Sequence, residues 1–131
     1  MKSIEVSAAV ILKQGKILAT QRGYGNYAGS WEFPGGKLEP GETAEAAAVR
    51  EIKEELEVDI HVDSHLITIQ YDYPEFHLTM HCFLCTMADE DLVLTEHLAA
   101  KWLGAADIDS VDWLAADIQV IDAIKAANIL K

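Results

Sequence analysis

Three glutamates near the middle of the chain have the spacing of a metal-binding or acid–base site. Glu51, Glu54 and Glu55 lie three and four residues apart among strong helix formers. On a helix, this spacing places Glu51 beside the other two on one face. Carboxylates packed in this way repel one another, and a divalent cation among them relieves the repulsion. A ligand set made only of oxygen atoms suits magnesium or manganese rather than zinc.

A cation held there would suit the hydrolysis of a phosphate chain. It would neutralise phosphate charge, orient the chain and make a bound water easier to deprotonate. A neighbouring carboxylate could accept the proton of that water. The glutamates therefore predict a metal-dependent hydrolase with a phosphorylated substrate.

The alternative is an acidic helix whose side chains are simply solvated. Arg50 with Glu54, and Lys53 with Glu57, have the i, i+4 spacing of surface ion pairs. A bare E-x-x-E-E pattern is more often of this kind. Residues 34–41, however, form a loop with two prolines and three glycines directly before the helix. Glycine allows a backbone to approach a ligand closely, so the loop favours a binding site.

The stretch GGKLEPGETAEAAAVREIKEELEV, residues 35–58, resembles the signature of the Nudix hydrolases, G-x5-E-x7-R-E-U-x-E-E-x-G-U, where U is a bulky aliphatic residue. The positions in register are Gly36, Glu42, Arg50, Glu51, Ile52, Glu54, Glu55 and Val58. One position departs, because Glu57 stands where the family has a glycine that usually forms a left-handed C-cap. Glu57 either adopts that conformation, at a cost of about 1 kcal/mol, or the helix ends in another way.

The similarity covers essentially the whole chain and is greatest to the MutT-like branch, which includes 8-oxo-dGTP and CTP pyrophosphohydrolases. The segments WEFPGGKLEPGE, YDYPEFHLT and WLAADIQVI carry it. The resemblance implies the α/β class and the Nudix α/β/α sandwich, a mixed sheet between helices, as a single domain over residues 1–131. It also implies a Mg²⁺-dependent enzyme, with Mn²⁺ as the alternative metal, that converts a nucleoside triphosphate into a monophosphate and pyrophosphate.

The resemblance also implies which residues hold the metal. Glu51 is expected to be both a ligand and the base. Glu96, six residues before Trp102, matches one more carboxylate of this branch, although an ordinary surface acid is the alternative. The implied metal ligands are Gly35, through its carbonyl, and Glu51, Glu54, Glu55 and Glu96.

Arg50 completes the implied catalytic set with Glu51, Glu54 and Glu55. It is expected to pair with Glu42 and to brace the loop at Gly36 against the helix.

The substrate-binding residues implied by the resemblance are Arg22, Glu32, Phe33, Tyr73 and Asp117. As a fixed cation, Arg22 suits a phosphate, and its alternative is a solvated arginine at a strand end. Phe33 and Tyr73 are candidate partners for stacking on the base, or ordinary core or surface aromatics.

Asp117 matches the residue that reads the base. A carboxylate accepts hydrogen bonds and favours a base edge with an exocyclic amine, such as cytosine N4. A guanine-like edge fits equally well, whereas uracil or thymine fits worse. The alternative role is that of N-cap for the last helix, and both roles are compatible. The expected substrates are CTP, 5-methyl-dCTP or 8-oxo-dGTP. The rivals are another nucleoside diphosphate derivative such as ADP-ribose or a dinucleoside polyphosphate, a catalytically silent nucleotide-binding module, and a plain acidic interaction domain.

Cysteines and histidines do not indicate a further site. Cys82 and Cys85 have a C-x-x-C spacing, but they fall within one predicted strand, where positions three apart point to opposite faces. We expect two packed thiols in a reducing cytoplasm. His77 and His81 share a strand face without another clear ligand, and a structural role is expected for all five histidines.

The elements that must position these residues follow from hydrophobic periodicity and turn signals. Strands are predicted at residues 4–12, 16–21, 31–33, 58–71, 76–87 and 100–103. Helices are predicted at residues 44–55, with Thr43 as N-cap, and at residues 118–127. Residues 34–41 are predicted to be irregular, 72–75 a hairpin turn, 89–98 an acidic connection and 105–110 a short helical turn.

Composition limits the class of protein and of partner. The 131 residues suffice for one domain with a sizeable core. The formal net charge of −12 disfavours a nucleic-acid polymer, while a small phosphorylated ligand remains compatible if cations screen it. No apolar run reaches membrane-spanning length and no export signal begins the chain, so we expect a cytoplasmic protein that binds neither nucleic-acid polymers nor membranes. The sequence leaves the oligomeric state open.

Overall fold

The computed structural model describes residues 2–88 and 91–131. The strands are β1 Lys2–Lys13, β2 Lys16–Arg22, β3 Trp31–Glu32, β4 Gly35–Lys37, β5 Ile60–Asp72, β6 Phe76–Met87 and β7 His97–Leu103. The helices are α1 Ala44–Leu56 and α2 Ala115–Ala127. Strand order is β3-β2-β1-β6-β5, with β4 paired to β1 and β7 paired to β2. The β1–β6 pair is parallel and the other pairs are antiparallel, so the sheet is mixed, as predicted.

Alternating side chains of β1 divide the core into two layers. Ala8 and Val10 belong to the cluster that includes Val120 of α2. Ala9 and Ile11 belong to the cluster that includes Ile52 of α1. Because successive strand residues point to opposite faces, the two helices cover opposite sides of the sheet. The predicted α/β/α sandwich is confirmed.

The two cysteines follow the same alternation along β6. Cys82 is buried in the layer beneath α2, and Cys85 is buried in the layer beneath α1. Both are free thiols. Burial raises the pKa of each thiol, which makes them packing residues, as the sequence predicts.

Helix α1 begins as predicted and ends under strain. Thr43 Oγ1 accepts a hydrogen bond from the Ala46 amide at 3.1 Å, which satisfies one of the free amides of the first turn. At the other end, Glu57 has φ 56° and ψ 35°, and its amide donates to the Lys53 carbonyl. Glu57 therefore adopts the left-handed C-cap conformation that glycine adopts more readily.

Glu57→Gly should stabilise the protein, because glycine takes the left-handed conformation without a Cβ penalty. We expect the free energy of unfolding to rise by about 1 kcal/mol, with a rise in Tm of about 3–6 °C. Thermal and urea unfolding measure both. Glu57→Gln is the matched control, since it removes the charge and keeps the side chain. An equal gain from Glu57→Gln would assign the effect to charge at the helix end and contradict the backbone explanation.

Two predictions next to the cleft were wrong, and pairing between distant segments explains both. Gly35–Lys37 is a short strand within the segment predicted to be irregular, because it pairs with β1. Strand β7 starts at His97 rather than residue 100, because its first residues pair with the end of β2. Residues 105–110 form hydrogen-bonded turns, where a short helical turn was predicted. The predicted connection at residues 89–98 includes two residues, 89 and 90, that lie outside the described chain.

Helix α2 begins three residues earlier than predicted, at Ala115. Its N-cap is Leu114, which makes no side-chain capping bond. Asp117 thus lies inside the first turn, and its predicted role as N-cap is wrong. Over the described residues, neither helix has the length and apolar character needed to cross a membrane.

Candidate active site

A cleft of about 530 Å³ lies between the loop after β2, strand β4, helix α1 and the β5–β6 hairpin. Its walls come from segments that are far apart in sequence. The predicted site residues that line it are Arg22, Glu32, Phe33, Gly35, Gly36, Glu51, Glu55, Tyr73, Glu96 and Asp117. Arg50, Glu42 and Glu54 are not among the lining residues. The fold therefore brings most of the predicted residues into one cavity.

Carboxylates crowd one end of this cleft. The Glu55 side chain is only 7% exposed, and burial raises its pKa to about 8, with further increases from the charges of Glu51, Glu96 and Glu32. Burial also raises the pKa of Glu51, although the guanidinium of Arg50 opposes that rise. Like charges held this closely favour either a proton or a cation among them.

Arg50 braces the loop before α1 as the sequence predicts. Its Nε donates to Glu42 Oε2 at 2.8 Å, and its Nη2 donates to Glu42 Oε1 at 2.9 Å. Nη2 also donates to the Lys37 carbonyl at 3.0 Å. The same guanidinium reaches Glu51 at 2.9 Å and Glu54 at 3.2 Å. Hydrogen bonding to Arg50 and to the Glu39 amide lowers the pKa of Glu42 to about 2, so Glu42 stays ionised near neutral pH.

Glycines allow β4 to approach both α1 and β1. A Cβ on Gly36 would clash with the carboxylate of Glu51, and a Cβ on Gly35 would clash with the Ser7 carbonyl. Glycine at position 35 therefore lets β4 pair closely with the backbone of β1, and glycine at position 36 leaves the space that the Glu51 carboxylate occupies.

Arg22 extends the polar part of the cleft. Its Nη1 donates to Glu32 Oε1 at 2.9 Å, and its guanidinium lies 5.0 Å from the ring centre of Tyr24. Its Nε is buried without a hydrogen-bond partner among the described residues. A phosphate oxygen is the kind of acceptor that this donor could bind.

The opposite end of the cleft is apolar and aromatic. Phe33 is 4% exposed and stacks on Trp113, with ring centres 4.8 Å apart. Tyr73 is 7% exposed, and its hydroxyl accepts a hydrogen bond from the Ala116 amide at 3.1 Å. Both rings are core residues that also line the cleft, so they form a fixed wall rather than mobile stacking groups.

Asp117 is buried between these aromatic residues. The Phe33 amide donates to its Oδ1 at 3.2 Å. Burial raises the pKa of Asp117 to about 8, and the charge of Glu32 contributes to the rise. At this pKa the side chain is largely protonated at pH 7, whereas the sequence suggested an ionised carboxylate. A neutral carboxylic acid can donate one hydrogen bond as well as accept others.

Sequence reasoning missed several residues near the cleft. Tyr24, Tyr27 and Lys37 line it. The two tyrosines lie in the glycine-containing loop directly after Arg22, the candidate phosphate-binding residue. Their closeness to Arg22 in the sequence could have indicated that they line the cleft. His97 lies against Glu32 and Glu55. Its position directly after Glu96 was the only sequence indication of this placement.

The donor set of the acidic end fits a hard cation in chemistry and charge. Glu51, Glu55 and Glu96 all face the cleft and offer oxygen atoms. Over residues 2–88 and 91–131, no three acidic, histidine or cysteine side chains already converge as a metal cage. Glu54 points to solvent, with 58% of its side chain exposed, and pairs with Arg50. Joining the other carboxylates would require Glu54 to leave that pair.

Comparison with known proteins agrees with the geometry. A sequence model of the NUDIX domain matches residues 1–123. The CTP pyrophosphohydrolase of Escherichia coli K12 is 35% identical over 127 residues, which cover 96% of this chain and 94% of that protein. The 8-oxo-dGTP diphosphatase of Proteus vulgaris is 40% identical over 87 residues, which cover 65% of this chain and 78% of that protein.

Solved structures show the same fold. The solution structure of the E. coli ORF135 protein is similar with a TM-score of 0.83 and 35% identity, covering 98% of this chain and 92% of that one. The MutT protein of Methanosarcina mazei Go1 has a TM-score of 0.87 at 22% identity, covering 97% of this chain and 96% of that one.

Proposed function

This chain belongs to the Nudix hydrolase family, and we propose that it is a magnesium-dependent nucleoside triphosphate pyrophosphohydrolase. The proposed reaction converts a nucleoside triphosphate and water into a nucleoside monophosphate and pyrophosphate. The whole chain, residues 1–131, would act as a single domain. Its partner would be a small nucleotide in the cytoplasm, since the net charge of −12 disfavours nucleic-acid polymers.

The observation that carries this proposal is the division of the cleft into two unlike ends. Carboxylates and Arg22 occupy one end, and the rings of Phe33 and Tyr73 flank the buried Asp117 at the other. A nucleotide has the same division, with a charged phosphate chain and a flat base. The proposed orientation places the phosphates by Glu51 and the base by Asp117.

The residues of the acidic end would hold the cation and orient the phosphates. Glu51, Glu55 and Glu96 would be ligands with the carbonyl of Gly35, and Glu54 would join them after leaving Arg50. The bound cation, Mg²⁺ or Mn²⁺, would screen phosphate charge and supply Lewis acidity. Glu51 would accept the proton of the attacking water. Arg22, whose Nε lacks a protein partner among the described residues, would bind a phosphate oxygen.

The base end supports a cytosine or an oxidised guanine as the base. Two relatives are named for CTP and for 8-oxo-dGTP. Asp117, held by the Phe33 amide, presents a hydrogen-bonding group within an apolar wall. Cytosine offers its N4 amine as a donor beside N3 as an acceptor, which matches an acid that accepts one hydrogen bond and donates another. Oxidised guanine offers N1–H and an amine, both donors, which match the ionised form of Asp117. Glu32 would contribute indirectly, because its carboxylate fixes Arg22.

Product analysis tests the proposed reaction. CTP, 5-methyl-dCTP and 8-oxo-dGTP are incubated with the protein and Mg²⁺, and the products are identified by chromatography and phosphate assays. We expect a nucleoside monophosphate and pyrophosphate, with no turnover in EDTA. Release of orthophosphate instead of pyrophosphate would contradict the bond that we propose is cleaved.

The same assay separates the rival functions. Faster turnover of ADP-ribose or a dinucleoside polyphosphate would indicate a Nudix hydrolase with another substrate. A nucleotide-dependent rise in Tm without turnover of any compound would indicate a silent binding module.

A further inference from the structure

His97, the first residue of β7, lies between two carboxylates of the cleft. Its side chain is 3% exposed. Its Nε2 lies 3.4 Å from Glu32 Oε2 and 3.6 Å from Glu55 Oε2. Its Nδ1 is buried without a hydrogen-bond partner among the described residues. The imidazole therefore directs its polar contacts through one nitrogen, toward Glu32 and Glu55 together.

The chemistry of the three groups fixes what that nitrogen must do. In the metal-bound state that we propose, Glu55 is ionised like Glu32, and an ionised carboxylate accepts hydrogen bonds and cannot donate them. Nε2 then carries a hydrogen toward Glu32 and Glu55. A single donor between two like charges reduces their repulsion and restricts their rotation.

Each carboxylate is also connected to one functional part of the cleft. Glu32 holds Arg22 through the 2.9 Å pair between Oε1 and Nη1. Glu55 lies on the acidic face of α1, among the proposed metal ligands. Contacts therefore run from Arg22 to Glu32, from Glu32 to His97 and from His97 to Glu55. Among the described residues, His97 contacts both Glu32, which pairs with Arg22, and Glu55, which is a proposed metal ligand.

Strand pairing fixes the position of the imidazole. His97 pairs with Arg22, at the point where the β2–β7 register shifts between Gln21 and Arg22. Gly23 directly follows Arg22, the last residue of β2. A Cβ on Gly23 would lie 2.5 Å from the Glu96 carbonyl oxygen. The absence of a side chain on Gly23 thus allows the start of β7 to approach β2 closely, and His97 enters the core behind the cleft.

We propose that His97 is a positioning residue that holds Glu32 and Glu55 in the orientations needed by the phosphate chain and the divalent cation. This inference rests on the proposed pyrophosphohydrolase function. It predicts that loss of the Nε2 donor weakens cation binding and substrate binding together, because one group orients both carboxylates.

Two substitutions separate the polar contacts of Nε2 from the volume of the side chain. His97→Phe fills the space without a donor, and His97→Gln keeps an amide N–H. For His97→Phe we expect Mn²⁺ binding, measured by electron paramagnetic resonance without nucleotide, to weaken about tenfold. KM should rise and kcat should fall in the same variant. His97→Gln should recover most of the Mn²⁺ affinity. If His97→Phe does not fold, His97→Asn replaces it, because its shorter amide does not reach both carboxylates.

A destabilised control distinguishes positioning from general loss of stability. Ile124→Val removes a methylene from the core beneath α2 and should cost about 1 kcal/mol without altering Mn²⁺ affinity. The proposal is overturned if the donor-free His97 variant is folded and binds Mn²⁺ within about twofold of the wild-type affinity. It is also overturned if Ile124→Val weakens Mn²⁺ binding equally. A wild-type protein that neither binds Mn²⁺ nor hydrolyses nucleotides would refute the proposed function instead.

Discussion

Glu55→Gln should lower kcat by about 10³-fold while it makes the metal-free protein more stable at pH 8. The loss of activity follows from removing a proposed metal ligand that is nearly buried at the centre of the acidic cluster. The gain in stability follows from the raised pKa of about 8 in the folded protein. Since the folded state holds this proton more tightly than the unfolded state, stability falls as pH rises from about 4.5 to about 8.

Glutamine at position 55 cannot ionise, so the variant avoids this loss. Unfolding in urea with EDTA, at pH 5 and pH 8, measures the difference between the two proteins. Addition of Mg²⁺ should stabilise the wild-type protein, with release of the Glu55 proton, and should not stabilise the variant. A fall in kcat together with a rise in the stability of the metal-free protein distinguishes a lost metal ligand from a damaged fold.

Glu45→Gln is the matched control for that experiment. Glu45 lies in the first turn of the same helix and is exposed. The same chemical change there should leave kcat and the Mg²⁺-dependent rise in Tm unchanged. If Glu55→Gln retained wild-type turnover, the proposed metal site on α1 would be wrong.

Asp117→Asn should make the stability of the protein much less dependent on pH. Burial raises the pKa of Asp117 from an ordinary 3.8 to about 8. Between these two values the folded state binds more protons than the unfolded state, so the wild-type protein loses stability as pH rises. For this one group, these two pKa values correspond to a loss of roughly 3–4 kcal/mol between pH 5 and pH 8. Asparagine at position 117 does not ionise, so the variant avoids this loss of stability. Its side-chain oxygen can still accept the hydrogen bond from the Phe33 amide.

Urea unfolding in EDTA at several pH values measures the slope of the free energy of unfolding against pH. Asp122→Asn is the control, because Asp122 lies on the exposed side of the same helix. It should leave the slope unchanged. The Asp117→Asn variant should keep the remaining slope contributed by Glu55. A wild-type slope in Asp117→Asn would contradict the assignment of a buried, protonated acid at the base end of the cleft.

Local sequence determined helix α1 and strand β6. Thr43 predicted the start of α1, and the spacing of Glu51, Glu54 and Glu55 predicted one acidic face, because helix geometry depends only on neighbouring residues. The bounds of β6, Phe76–Met87, were also predicted correctly from its strand-forming residues and the turn that precedes them. The pair between Arg50 and Glu42 was implied by the resemblance to the Nudix signature, and the structure contains it.

Only the tertiary structure decided which groups meet in the cleft and in what protonation state. Glu32, His97 and Glu55 come together through the pairing of β2 with β7 and the packing of α1, and no local pattern encodes those distances. Burial raises the pKa of Asp117 inside the first turn of α2, whereas the sequence suggested a carboxylate that reads the base, with an N-cap role as the alternative. Glu54 points to solvent although its spacing matches that of its neighbours. Helix periodicity assigns a residue to a face, whereas exposure, pairing and pKa depend on what the rest of the chain packs against that face.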